Sequence, residues 1–453
     1  MGEQILNYVG FIVLLFVIAV SLFKPVFALY LLPYAFSLSP EIIVSQTAAR
    51  EVTIRIEDLL TVTLLLKIFF DFLISKSFPL ERFRKNQFFL PMFLYSFVLI
   101  IATTLGMAQG YVSPASGFFF VTKLIQFFLF FFMFLYYISD KKDIKVILNS
   151  ALLTMGIVTI IGIIQIPTFA RTTMPFEGES YEPNTFGGYY VLLGSVVAGL
   201  YTHEPKGRKK VIYALLLAAA VMPFIYTLSR SSWIAAGFAL ITFLLLTKGL
   251  QRKVVIFMVL LLLVLSIPFM PGAIRERAEF WKAEEGFGRT ETIGGTKFDA
   301  STSERITRYR EMVDIFIESP VLGRGMTGAG FIDGQYIRVI NETGIVGVFA
   351  FSYLFYAILK YLYSSYKNTV DPFVRSLSLG LFCATIGLLI HSLGASTFLL
   401  VRVTEPYMMF LALLVGYDRM TEGEEKVESH TVNQIYIYPY LITAPVKSRA
   451  ERT

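Results

Sequence analysis

The 453-residue sequence is short of charge: Asp, Glu, Lys and Arg make up 16% of it against 55% hydrophobic residues, and the mean hydropathy is +0.64. So little polar material cannot coat a soluble globule, and the composition is that of a polytopic membrane protein. Cysteine is nearly missing. Its one instance, Cys383, lies inside an apolar window, which excludes both a disulfide and a thiolate metal site. Histidine occurs three times, and no group of His, Cys and carboxylates has ligand spacing, so neither a metal nor a cofactor is expected. A basic leader is also lacking before the first apolar run. Leu6 to Phe23 continues at once into further apolar sequence and reads as a retained span, not a cleaved signal. The sequence shows no internal repeat and no independent soluble domain.

What the sequence has in abundance is long apolar windows. Crossing a hydrocarbon core of ~30 Å takes roughly 20 mostly apolar residues in a helix. Windows of that kind run near 6–23, 26–38, 59–75, 88–106, 117–137, 146–166, 184–201, 211–228, 232–247, 253–270, 343–364, 375–393 and 402–418. Only Lys24-Pro25 separates the first two, and Pro33 interrupts the second, so the pair reads as one broken element. The expected fold is therefore all-α, a helical bundle of about 12 spans.

Lysine and arginine are distributed unevenly among the loops. One alternating set carries Lys76, Arg82, Arg84 and Lys85, then Lys141, Lys142 and Lys145, then Lys206, Arg208, Lys209 and Lys210, then Lys248, Arg252 and Lys253, then Lys360, Lys367 and Arg375. The other set is almost bare. By the positive-inside rule the basic set is cytoplasmic. This placement accounts for most of the formal charge of +7 and leaves no basic patch for nucleic acid.

The same alternation puts 271–342 outside as the one large loop, between N-terminal helices over 1–270 and C-terminal helices over 343–418, with a cytoplasmic tail over 419–453. Within that loop, Ser303 to Glu318 has Ile306, Met312, Val313, Ile315 and Phe316 among charges, the pattern of an amphipathic helix that Ser319-Pro320 ends.

Arginines gather on the bare, outer side. Arg230 sits between two spans in "YTLSRSSW", where it must be hydrated, paired or directed to a polar cavity, or else snorkel at the interface beside Trp233. Arg305 and Arg308 stand one helical turn apart, and Arg324 lies in a glycine-rich stretch whose amides can approach an anion. Guanidinium stays charged and pairs bidentately with phosphate oxygens, so these groups suit a diphosphate-bearing substrate. A solvated, salt-bridged surface helix is the competing reading of the loop arginines. Asp333, Arg338 and Glu342 follow at the threshold of a span. Asp333 can orient or deprotonate a hydroxyl, or simply make an Asp-Gly turn, and Arg338 with Glu342 has the spacing of a paired couple. His391 is the only histidine assigned outside, and Tyr189 and Tyr336 are candidates to stack on sugar rings. Arg402 and Glu405 at the outer end of the last window can line a cavity or anchor the span.

The order of these segments resembles the O-antigen ligase and O-antigen polymerase superfamily, bacterial membrane glycosyltransferases of the GT-C type. The resemblance rests on "TLSRSSW" from Thr227, R-x-x-x-Y at Arg305 and Tyr309, "SPVLGRG" from Ser319 and "DGQYIRVINETGIVG" from Asp333, with "EPNTFGGYY" from Glu182 adding the first half. It implies transfer of a glycan from an undecaprenyl-diphosphate donor on the periplasmic side of the bacterial cytoplasmic membrane, without nucleotide sugar or metal. Its partners would be the lipid-linked glycan, membrane lipid, a flippase and a chain-length regulator. Arg230 and Arg305 match arginines that hold the donor diphosphate; Arg308, Arg324, Arg338, Glu342, Tyr336 and His391 are further candidates for the diphosphate and glycan.

Asp333 falls where ligases of the family typically have the histidine of H-N-x-x-L-x-x-L-x-E-x-G. Glu342, Gly344 and Gly347 match the remainder, and Gly334 replaces the usual asparagine. Departure at the histidine favours polymerase over ligase. A ligase remains the alternative within the enzymes, and a lipid-linked glycan transporter the alternative outside them, although carriers usually repeat their halves.

Overall fold

The computed structural model describes residues 17–46, 51–75, 84, 86–168, 171–177, 182–249, 292–293, 296–297, 310–330 and 333–437. Arg305, Arg308, Tyr309, the 253–270 window and most of the large loop lie outside the described residues.

The protein is an all-α, polytopic helical bundle. Its helices are α1 (Pro25–Leu38), α2 (Ile56–Ser75), α3 (Phe89–Ala108), α4 (Pro114–Tyr137), α5 (Lys141–Gln165), α6 (Pro183–His203), α7 (Arg208–Tyr226), α8 (Arg230–Leu246), α9 (Gln335–Asn368), α10 (Pro372–His391) and α11 (Val401–Ile437). Six of these, α3, α4, α5, α7, α9 and α10, are long and apolar enough by themselves to cross a membrane. Residues 17–23 are helical too, and Lys24 breaks away at φ −130°, ψ 79° before Pro25 opens α1, as the Lys24-Pro25 punctuation implies. Residues 310–318 form the end of the expected amphipathic helix, closed by the Ser319 amide on the carbonyls of Ile315 and Phe316.

Two helices run through expected segment boundaries. α9 starts at Gln335, so the expected loop-to-span boundary at 342/343 falls inside a helix; α11 runs on to Ile437, past the expected start of the tail at 419. A small antiparallel hairpin, β1 (Ile42–Gln46) with β2 (Glu51–Ile54), joins α1 to α2 and was not foreseen.

Side chains sort as a bilayer demands. On α3, Met92, Tyr95, Leu99, Ala102 and Gly106 face inward while Leu90, Phe93, Phe97 and Ile100 stay exposed, so one stripe meets the bundle and the other is apolar with nothing covering it. α11 is enclosed on every side: from Val403 to Leu414 its described side chains are buried all round. Helices α1, α4, α5, α6 and α10 pack around it. α6 and α10 approach closely because Gly199 and Gly380 carry no side chain. A Cβ on Gly199 would sit 2.3 Å from the Ser376 carbonyl oxygen, and one on Gly380 2.8 Å from that of Ser195.

Contacts sort the loops into two sets at opposite ends. One end unites 39–46, 51–58, 109–113, 171–177, 182–185, 227–230, 319–330, 333–335 and 391–402, through bonds such as Arg402 to the carbonyls of Ser39 and Phe176 and Gln335 to that of Ser392. At the other, Tyr366 donates to the Leu246 carbonyl, Tyr361 to Asp418, and Lys141 lies over the Tyr417 ring. Among the described lysines, Lys141 at the start of α5, Lys248 just past Leu246 and Lys367 beside Tyr366 belong to this second end.

Candidate active site

The helix that carries the NETG motif is broken on purpose. Gly344 sits at φ 62°, ψ −165°, a region essentially restricted to glycine, and the i to i+4 ladder of α9 fails around it. The "SPVLGRG" segment repairs the break. The amides of Arg324 and Gly325 donate to the carbonyls of Asn341 and Glu342, at 2.9 Å each, and the amides of Ile345 and Val346 donate to the carbonyls of Pro320 and Val321, at 2.9 and 3.3 Å. Two motifs that are separate in sequence are thus one backbone unit. A Cβ on Gly344 would stand 2.2 Å from the Val321 carbonyl oxygen, whereas one on Gly194 meets nothing within 4 Å. Gly344→Ala is therefore expected to destabilise the protein by about 1–3 kcal/mol or more, read as a lower melting temperature in detergent, with Gly194→Ala unchanged as the control.

Arg338 and Glu342 pair within this unit, as their spacing predicts. The Nε–Oε1 distance is 3.0 Å, both side chains are buried, and the same Glu342 oxygen accepts the Thr327 amide at 2.9 Å. Glu342 thereby ties the glycine-rich loop to α9. Arg324 points elsewhere: its guanidinium pairs with Glu318 and lies over the Tyr111 ring, 4.7 Å from the centroid. Asp333 is half-buried just ahead of α9, separated from it by Gly334 at φ 107°.

Arg230 is the first residue of α8 and half-buried. Serines hold the turn before it. Ser229 caps α8 by accepting the Ser232 amide and donates to Asn184 Oδ1 at 2.7 Å. Ser232 Oγ lies 3.0 Å from His391 Nε2, and His391 Nδ1 lies 2.8 Å from Thr397 Oγ1. His391 is fully buried between these two hydroxyls and fastens the ends of α8 and α10 together. Arg171, to which the sequence reading gave no role, closes the preceding helix by donating to the carbonyls of Thr227 (2.8 Å) and Leu228 (3.2 Å), as a cation at a helix C-terminus does.

The loop after His391 joins the two groups. The Gln335 amide donates to the Ser392 and Ala395 carbonyls, and Gln335 Oε1 accepts the Phe398 amide at 3.1 Å. Tyr336 donates to the Leu389 carbonyl at 2.7 Å and packs edge-on against Phe351. Tyr189 is enclosed in the core beside Tyr190 and presents no face to a ligand.

A third group was invisible in the sequence as a group. Arg55 pairs with Glu41 and stands 3.6 Å from Glu57; Lys123 bridges Asp58 (2.6 Å) and Glu405 (3.2 Å); Arg402 donates to the carbonyls of Ser37 (2.6 Å), Ser39 (3.1 Å) and Phe176 (3.1 Å). Arg402 thus both anchors the last helix and lines a cavity of about 920 Å³ against which Arg55, Asp58, Lys123, Glu177 and Glu182 also stand. Burial holds the Glu177 carboxyl well above the usual carboxylate range, at about 8, with Glu182 and Glu41 adding to the rise and Arg402 opposing it. At neutral pH Glu177 is accordingly protonated in the main and able to donate.

Residues 212–359, from α7 through the first part of α9, match the family model described as O-Antigen ligase. The match supports a place for this segment in the O-antigen ligase/polymerase superfamily. The matched segment contains the Arg230 turn, the first part of the broken α9 and the motif unit threaded into it, whereas the "EPNTFGGYY" stretch lies ahead of it. The match supports a membrane enzyme of the ligase/polymerase type. A search of the curated proteins finds no match.

Proposed function

We propose that the protein polymerises undecaprenyl-diphosphate-linked oligosaccharide repeat units at the extracytoplasmic end of a bundle of about 12 spans, as an inverting, metal-independent glycosyltransferase. The observation that carries the reading is the setting of Arg230. It lies within the segment that matches the O-antigen ligase model, at the start of a helix fixed through Ser229 to Asn184 and through Ser232 to His391, at the bundle end opposite Lys141, Lys248 and Lys367.

An acceptor hydroxyl attacks the anomeric carbon of the donor sugar, that carbon's bond to the diphosphate oxygen breaks, and the hydroxyl proton passes to a base. Arg230 and Arg305, with Arg308 and Arg324, offset the charge that grows on the departing diphosphate. Asp333 orients the hydroxyl or takes its proton. Arg338 and Glu342, committed to one another, serve through the backbone they hold, and Tyr336 and His391 through the helix ends they join. Asp333 in place of the ligases' histidine favours polymerase over ligase.

Purified protein incubated with a lipid-diphosphate oligosaccharide gives a ladder of products if it polymerises. One shifted acceptor band indicates a ligase, and no new glycosidic bond overturns the transferase reading in favour of a carrier. Asp333→Asn is expected to lower turnover about 10²-fold or more with little change in donor binding; equal turnover in the variant returns Asp333 to its turn. Activity is expected to persist in chelator, and loss with recovery on adding a divalent metal contradicts the metal-free chemistry.

A further inference from the structure

The 920 Å³ cavity is built by parts of the chain outside the matched domain: the β2–α2 junction, α4, the residues ahead of α6 and the start of α11. Its size is that of a ligand site. Its charge is wrong for a diphosphate. Three carboxylates, those of Glu41, Asp58 and Glu182, and the protonated carboxyl of Glu177 line it with three cations, and each cation already has a partner: Arg55 has Glu41 and Glu57, Lys123 has Asp58 and Glu405, and Arg402 has three carbonyls. No positive surplus is left to hold a polyanion.

Donors and acceptors are nevertheless left over. Arg402 is 1% exposed and its Nε has no hydrogen-bond partner, and Glu177 Oε2 is likewise enclosed without one. Fixed guanidinium donors beside carboxylate acceptors match a ligand that presents neutral hydroxyls, each able to donate and accept. Phe119 and Phe120 add aromatic wall to the same cavity, and sugar rings offer both hydroxyls and apolar C–H faces.

We infer that this cavity binds the neutral glycan of the acceptor substrate, apart from the arginines that hold the donor diphosphate. The choice of a glycan rests on the transferase reading. Glu182 and Asp58 take hydroxyl protons, Glu177 and the guanidinium edges donate, and the acceptor is held while the matched domain performs the transfer.

The test uses the full-length protein in detergent and two probes: the phosphate-free oligosaccharide released by mild acid from the host's own lipid-linked repeat unit, and undecaprenyl diphosphate without glycan. Glu182→Ala removes an acceptor, and Thr122→Trp fills the cavity from an exposed position on α4. Both variants are expected to bind the oligosaccharide at least about tenfold more weakly, roughly 1.4 kcal/mol, with undecaprenyl diphosphate affinity and the size-exclusion profile as in wild type. Wild-type affinity for the oligosaccharide in either folded variant overturns the inference. So does a loss confined to undecaprenyl diphosphate, which makes the cavity the diphosphate seat, and so does a wild type that binds no oligosaccharide. Binding is read without turnover, so a protein that binds the oligosaccharide yet forms no glycosidic bond sinks the transferase reading and leaves the cavity assignment standing.

Discussion

Arg230→Ala is expected to lower glycan transfer by about 10²–10³-fold, the range found when one preorganised charge-stabilising donor is removed, with the protein present in the membrane at its normal level. The separation of the two readouts follows from the local structure. The turn is held by Ser229 and Ser232, which bond to Asn184 and His391, and the helix cap is the Ser229 hydroxyl. Removing the guanidinium leaves every one of those bonds in place. Arg230→Lys keeps the charge but loses the planar fork, so it should restore only part of the rate. Turnover of a lipid-diphosphate oligosaccharide by the purified variants decides it: a wild-type rate for Arg230→Ala makes the residue an interfacial anchor. Arg305→Ala is expected to behave in the same way.

The helices were legible because the bilayer sets their length, and the windows read from the sequence fall on helices wherever the chain is described. Caps are set by equally local signals that the sequence reading did not use: Asp371 accepts the Phe373 and Val374 amides and Pro372 opens α10. A pair at helical spacing could be read too, Arg338 with Glu342. What could not be read is anything assembled across the fold. Lys123 and Asp58 are 65 residues apart and Arg402 and Ser37 are 365 apart, and no local pattern links them. Arg55 and Lys123 were given no role by the sequence reading. The β1–β2 hairpin lay between apolar windows that drew attention to helices alone. Gly344 was recognised as a motif residue, but its physical reason is the segment around Val321 threaded into α9, which only the three-dimensional structure brings beside it.

The Arg338–Glu342 pair yields the other large effect, on stability. Both side chains are enclosed, at 4% and 3% exposure, so neither charge is solvated and each depends on the other. Glu342→Gln keeps the shape and leaves an oxygen able to accept the Thr327 amide, yet strands a buried guanidinium. Breaking a buried pair from one side costs about 3–5 kcal/mol, which should appear as a large fall in melting temperature in detergent and a loss of folded yield. Replacing both partners, Arg338→Met with Glu342→Gln, removes the stranded charge and is expected to recover most of that loss. The double variant separates two roles that activity alone would confuse. A glutamate that only held substrate would lower turnover in Glu342→Gln at an unchanged melting temperature, and the second substitution would rescue nothing. A glutamate that ties the 319–330 loop to α9 through Arg338 and Thr327 must show the opposite order, with stability falling first and the second substitution restoring it.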